Sequence, residues 1–160
     1  MVIIGISVGT RTSGIAIVTN KGLISWHTLS FKDKWSEKKG AYIMGRYEKY
    51  LKKHNATIVV LKIPRMSHHT EAILSLLDKI QSVINQHGCM VVYKTQAEIK
   101  TAIPHIKNSR DLMVHTATLY PVLLPEQIKE LSIKNSYHEK MFEAVIIAHL
   151  VKQENCYPPT

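Results

Sequence analysis

Cysteine is nearly absent: the 160 residues hold two, Cys89 and Cys156. Two cysteines cannot build a disulfide framework, and they have no metal-ligand spacing between them. A reducing, cytoplasmic setting is the expectation. Long apolar runs are missing too. Stretches such as Ala144 to Ala148 fall far short of the roughly 20 residues a membrane span needs. Met1 to Ile6 is apolar, but it has no basic n-region and no small-residue cleavage site, so no secretory leader is expected. The chain also lacks low-complexity tracts and internal repeats. It has no Gly-x-Ser-x-Gly nucleophile elbow and no Walker-type phosphate loop, so those hydrolase and nucleotide-binding classes have no sequence support.

Acidic residues are scarce. Asp plus Glu number 12 against 21 for Lys plus Arg, a formal net charge of +9, with nine histidines besides. This balance favours polyanions through counterion release, and nucleic acid is the commonest polyanion in a cytoplasm. Basicity reports attraction and says nothing of fold. The length suits one domain, 1–160, able to bury roughly 70% of the surface that its unfolded form exposes.

What the chain does contain is an ordered series of strands and helices. Val2 to Ile6 is a β-branched run, Gly9 to Gly14 is turn chemistry, and Ile15 to Val18 is a second apolar run, which together predict a hairpin. Leu23 to Leu29 reads as a third strand, and KDKWSEKKG as a basic loop. Tyr42 to His54 is a predicted helix with Ile43, Tyr47 and Leu51 on one face. Thr57 to Ile63 has the continuous apolar character of a strand buried on both sides. Thr70 to His87 follows a 3.6-residue period, with Thr70 placed to cap it and Gly88 to end it. Met90 to Tyr93 is a fifth strand. Helices are predicted over Gln96 to Ile103, Ser109 to Tyr120, Pro125 to Leu131 and Tyr137 to Gln153. Strands joined through helices run parallel with right-handed crossovers, so the expected α/β architecture is a mixed five-stranded sheet with helices on both faces.

The stretches IIGISVGTRTSGIAIV, TIVVLKIPRMSHHT, QAEIKTAI, NSRDLMVHTATLYP and FEAVIIAHL together resemble RuvC-type Holliday junction resolvases and their YqgF-like relatives. The resemblance spans nearly the whole chain and implies a ribonuclease H-like fold. That family cuts branched DNA with two divalent ions held by four acidic or near-acidic side chains, because hard Mg²⁺ wants oxygen ligands and two close ions need several negative charges. Carried over position by position, the four catalytic sites fall on Ser7, Lys62, Lys140 and Glu143. One carboxylate survives and two positions are cationic. Lys140 and Glu143, three apart on a helix, still share a face. Ser7 is neutral and a weak ligand. Lys62 is expected to pair with Glu143 where metal would have been, the alternative being a strand-end lysine reaching to solvent.

Displaced ligands are the other way to keep metal. His68, His69 and Glu71 follow the fourth strand, His138 and Glu139 precede the last helical positions, and Asp111 and His115 share a helix face. The set favoured for a transition metal is His69, Glu139 and Glu143, since imidazole suits such ions better than Mg²⁺. Loop histidines and solvated helix faces explain these residues equally well. For nucleic acid, Lys100 and Arg110 match positions where the resolvases carry basic residues near the DNA backbone. Arg11 and Arg65 are expected at the same rim, holding phosphates without reading sequence. Trp35, inside the basic loop Lys32 to Lys39, either stacks on a base or anchors the loop to the core.

These residues support a RuvC-like protein that binds nucleic acid, structured or branched DNA first, without two-metal cleavage. No cofactor is expected on that reading. The alternatives are an active endonuclease using Mg²⁺ or Mn²⁺ through displaced ligands, and a scaffold or regulatory subunit that binds protein only. The resemblance also implies a homodimer, with the helix Thr70 to His87 as candidate interface unless it simply packs on the sheet. No membrane partner is expected.

Overall fold

The computed structural model describes residues 1–132 and 138–156. Its strands and helices run β1 (Val2–Ser7), β2 (Thr12–Thr19), β3 (Gly22–Ser30), α1 (Glu37–His54), β4 (Ile58–Lys62), α2 (Glu71–Gln86), β5 (Met90–Lys94), α3 (Gln96–Ala102), α4 (Ser109–Leu119), α5 (Leu124–Ser132) and α6 (Glu139–Cys156). The sheet order is β3-β2-β1-β4-β5. Pairing is antiparallel from β3 through β1 and parallel from β1 through β5. The expected mixed five-stranded α/β sheet with helices on both faces is therefore what forms.

Period-two alternation divides the sheet between its helices. Ile4, Ile6, Val59 and Leu61 point to one face and pack with Ile43, Tyr47 and Leu51 of α1 and Leu76, Ile80 and Ile84 of α2. Ile3, Ile58 and Val60 point to the other, against Ile146, Ile147 and Leu150 of α6 and residues of α3 and α4. Ser7 and Lys62 continue the second series, so both emerge beneath α6, and they are register partners across the parallel β1–β4 pair. A helix packed on both β1 and β2 must come close to backbone, and the residues there are small. A Cβ on Gly5 would lie 2.2 Å from the carbonyl oxygen of Ala144, and one on Gly14 would lie 1.9 Å from that of Lys140.

One expectation needs correction. The basic loop ends sooner than its polar composition suggests, because the Ser36 hydroxyl accepts from the Lys39 amide and starts α1 at Glu37, five residues before Tyr42. Helix α2 packs Ile73, Leu76, Ile80 and Ile84 inside the protein, with Leu77 and Val83 half-buried and Leu74 exposed. The Thr70 cap is as expected, its hydroxyl accepting from Ile73 at 3.2 Å. The helix foreseen from Tyr137 begins at Glu139; Tyr137 lies outside the described residues. Among the described residues no helix is long and apolar enough to cross a membrane.

Candidate functional site

The parallel strands β1 and β4 end side by side, and the first turn of α6 crosses above them. Ligands of α/β sheets gather at such carboxyl ends. Here the alternation that points Ser7 and Lys62 toward α6 brings them to Glu143. The Ser7 hydroxyl donates to Glu143 Oε1 at 3.0 Å. The Lys62 ammonium lies 2.5 Å from Oε2, with both side chains almost fully buried. Lys140, one turn earlier on α6, donates to the carbonyl oxygen of Val8 at 3.2 Å. Burial lowers the Lys140 pKa; Glu143 opposes the shift and the like charge of Lys62 adds to it. All four positions singled out in the sequence thus converge, and the expected Lys62–Glu143 ion pair is present.

These residues do not fit a pair of divalent cations. The single carboxylate among them has a donor on each oxygen, and the remaining positions offer a hydroxyl and two ammonium groups. A unit charge at about 4 Å interacts by roughly 4 kcal/mol at intermediate dielectric, and a divalent ion would double that repulsion from each ammonium. A Mg²⁺ or Mn²⁺ pair would need the reverse charge pattern.

Around this centre opens a cleft of about 510 Å³. Five cationic residues line it, Lys62, Arg65, Lys100, Lys107 and Lys140, against two carboxylates, Glu139 and Glu143. Both carboxylates are engaged, since Ser109 donates a hydrogen bond to Glu139. With Lys62 paired to Glu143, the cleft presents excess positive charge alongside the neutral donors Thr12, Gln96, Asn108 and Ser109. Such a lining can hold phosphate oxygens without metal.

Of the expected rim residues, Arg65 and Lys100 line the cleft, and Arg11 and Arg110 do not. Helix geometry explains Arg110: Ser109 and Leu112, three apart, face the cleft, and Arg110 is turned about 100° from Ser109 toward solvent. Arg11 lies past the hairpin turn from Thr12 and lines a separate pocket with residues 31–35 and Lys39. The displaced metal set is also not assembled. His69 Nε2 sits 2.8 Å from the carbonyl oxygen of Pro64, Glu139 is held by Ser109, and Glu143 is held by Ser7 and Lys62. Among the described residues no group of three His, Cys, Asp or Glu could hold a metal ion. Asp111 serves the start of α4, accepting from the Lys107 amide at 3.0 Å, while His115 pairs with His105 at 3.0 Å. His138 turns to Thr28 at 2.8 Å. Trp35, half-buried, packs against the core cluster and also lines the pocket beside Arg11.

Sequence reasoning missed Lys107, Asn108 and Ser109. The available signal was Asn108 as an N-cap, which it is, accepting from Asp111 at 2.9 Å and turning the start of α4 into the cleft.

No family model and no curated protein sequence matches the chain. Solved structures do. Thermus thermophilus RuvC in complex with a Holliday junction substrate is 14% identical, with a TM-score of 0.74, covering 98% of this chain and 95% of that one. The fowlpox virus resolvase, solved with substrate Holliday junction DNA, is 14% identical with a TM-score of 0.59, covering 99% and 100%. The yeast mitochondrial Holliday junction resolvase Ydc2 is 11% identical with a TM-score of 0.60, covering 91% and 75%. The sheet order and its flanking helices are those of a ribonuclease H-like fold.

Proposed function

We propose that this protein is a single-domain, RuvC-like binder of structured or branched DNA that holds the phosphate backbone in its basic cleft and does not hydrolyse it by two-metal chemistry. The observation that carries the reading is the state of Glu143. The one acid kept at the four catalytic positions is hydrogen-bonded by Ser7 and ion-paired by Lys62, with the Lys140 ammonium beside it. The charge that would bind metal ions is consumed inside the protein. What remains facing solvent is cationic and suited to an anion. Arg65, Lys100 and Lys107 are the residues assigned to phosphate contact, with Lys140 deepest.

The likeness to resolvases bound to Holliday junctions supports a branched ligand over a linear one. The test is equilibrium binding to a four-way junction, linear duplex and single strand across a salt series, with cleavage followed in Mg²⁺ and in Mn²⁺. A binder contacting about five phosphates gives a log–log salt slope of about −4 to −5. Junction binding without cutting supports the proposal. Metal-dependent cutting that Glu143→Gln abolishes overturns the inactive reading, and failure to bind at low salt favours a protein-binding scaffold.

A further inference from the structure

The loop between β3 and α1 is basic, and it is held from several directions. Buried Phe31 donates its amide to the Arg11 carbonyl at 2.7 Å, tying the loop to the first hairpin. Trp35 packs on the core, its indole edge 2.9 Å from where a Cβ on Gly40 would stand. The Lys39 ammonium is buried and donates to the carbonyl oxygen of Asp33, while Ser36 caps α1. This framework leaves Arg11, Lys32, Lys34 and Lys38 exposed. Among the described residues none of these four forms a salt bridge.

They border two adjoining pockets, of about 430 and 370 Å³, whose one carboxylate is Asp33. Like charges collected on an ordered loop repel one another, with only solvent and salt to screen them within about 8 Å. An external polyanion removes that cost, and a loop already ordered loses little entropy on binding it. Position ties this surface to the cleft. Thr12 lines the cleft, and its neighbours Thr10 and Arg11 line the pocket of about 430 Å³, so the two meet at the hairpin turn.

We propose that Arg11, Lys32, Lys34 and Lys38 form a second phosphodiester-binding site, which holds one arm of a nucleic acid beyond the part seated in the cleft. The inference rests on the reading of the cleft as a nucleic-acid site. Of the three aromatic residues lining the two pockets, Phe31 is buried, Trp35 packs on the core and Tyr42 is exposed. The exposed cations suit backbone phosphates, contacts that fix position and read no bases.

The test compares junctions with long arms and junctions trimmed to the branch point. The proteins are the wild type, Arg11→Ala/Lys32→Ala/Lys34→Ala, and the cleft variant Lys100→Ala/Lys107→Ala. All five side chains are exposed, and circular dichroism checks that the fold is kept. The loop variant is expected to lose about 3 from the magnitude of the salt slope on long arms and to match wild type on trimmed ones. The cleft variant weakens both. If wild type binds and the loop variant keeps its slope on long arms, the second site is refuted while the cleft reading stands. An equal loss on both ligands puts the loop inside the cleft's own footprint and also refutes a second site. If the wild type binds neither junction, the cleft reading fails first and this site with it.

Discussion

Lys62 and Glu143 meet at 2.5 Å, from the end of β4 and the first turns of α6, with side chains 11% and 9% exposed. Ser7 completes the carboxylate from β1. The contact joins three elements at a point where water is largely excluded, so its energetics differ from those of a surface pair. Removing one partner of a buried pair strands a charge and costs about 3–5 kcal/mol, whereas replacing both by apolar groups is often neutral. Lys62→Met is therefore expected to destabilise the protein by about 3 kcal/mol, the nearby Lys140 ammonium limiting the loss. Lys62→Met/Glu143→Leu should recover most of it. Urea unfolding of the set measures both, and a double variant no more stable than the single one contradicts a paired, desolvated couple.

The seam between α6 and the sheet gives a second prediction. Gly14→Ala places a methyl group 1.9 Å from the Lys140 carbonyl oxygen, which only backbone movement can relieve. A loss of about 3 kcal/mol or more is expected, since this exceeds ordinary overpacking. Gly45 is the internal control: it is exposed in the middle of α1 with nothing near its absent Cβ. Gly45→Ala should stabilise by about 0.5–1 kcal/mol through helix propensity. Thermal denaturation of the two variants should move in opposite directions.

Much of this was legible in the chain because strands and amphipathic helices announce themselves by period. Ser7 and Lys62 were singled out by the family resemblance, and the parallel β1–β4 pairing makes them register partners. The start of α1 was hidden because Lys38, Lys39 and Gly40 read as loop chemistry, yet Lys39 and Gly40 are buried in the helix, Gly40 against Trp35 and Lys79 and Lys39 donating to the Asp33 carbonyl oxygen. Arg110 was placed at the rim by the family resemblance and Arg11 by its position at the hairpin tip, and a single step across a turn or around a helix sends a side chain elsewhere. Glu130 shows the same limit. It sits in a polar-looking helix and is 5% exposed, facing His138 at 3.9 Å.

Acid sensitivity follows from the histidines. Burial lowers the pKa of His27, His54, His115 and His149 below 6.5, and nearby cations, including Lys53 for the first two and Lys152 for the last, push the same way; His105 does so for His115. The unfolded chain takes up these protons near pH 6.5, and the folded protein only at lower pH. Stability is thus full above about 6.5 and declines as the pH falls through the folded-state values. The melting temperature should drop as the pH falls below about 6.5. His54→Gln/His115→Gln should flatten that drop. A melting temperature that holds steady or rises on acidification would count against it.

If charge alone keeps divalent ions away, reversing the charge should admit them. Ser7→Asp/Lys62→Glu/Lys140→Asp sets three new carboxylates around Glu143 on backbone that already brings these positions together. Without metal the variant should be strongly destabilised, because the four acids repel in a poorly solvated site and the ion pair is gone. Mn²⁺ at about 100 times its dissociation constant should return about 2.7 kcal/mol through binding to the folded state alone, and chelation should remove it again. The wild type should show no shift in melting temperature under the same titration. A wild type stabilised by Mn²⁺, with the effect lost in Glu143→Gln, would mean that the lysines yield to metal and that the site works as a metal centre after all. A variant that binds Mn²⁺ and cuts four-way junctions would instead localise the difference from a two-metal nuclease to three side chains on an otherwise suitable frame.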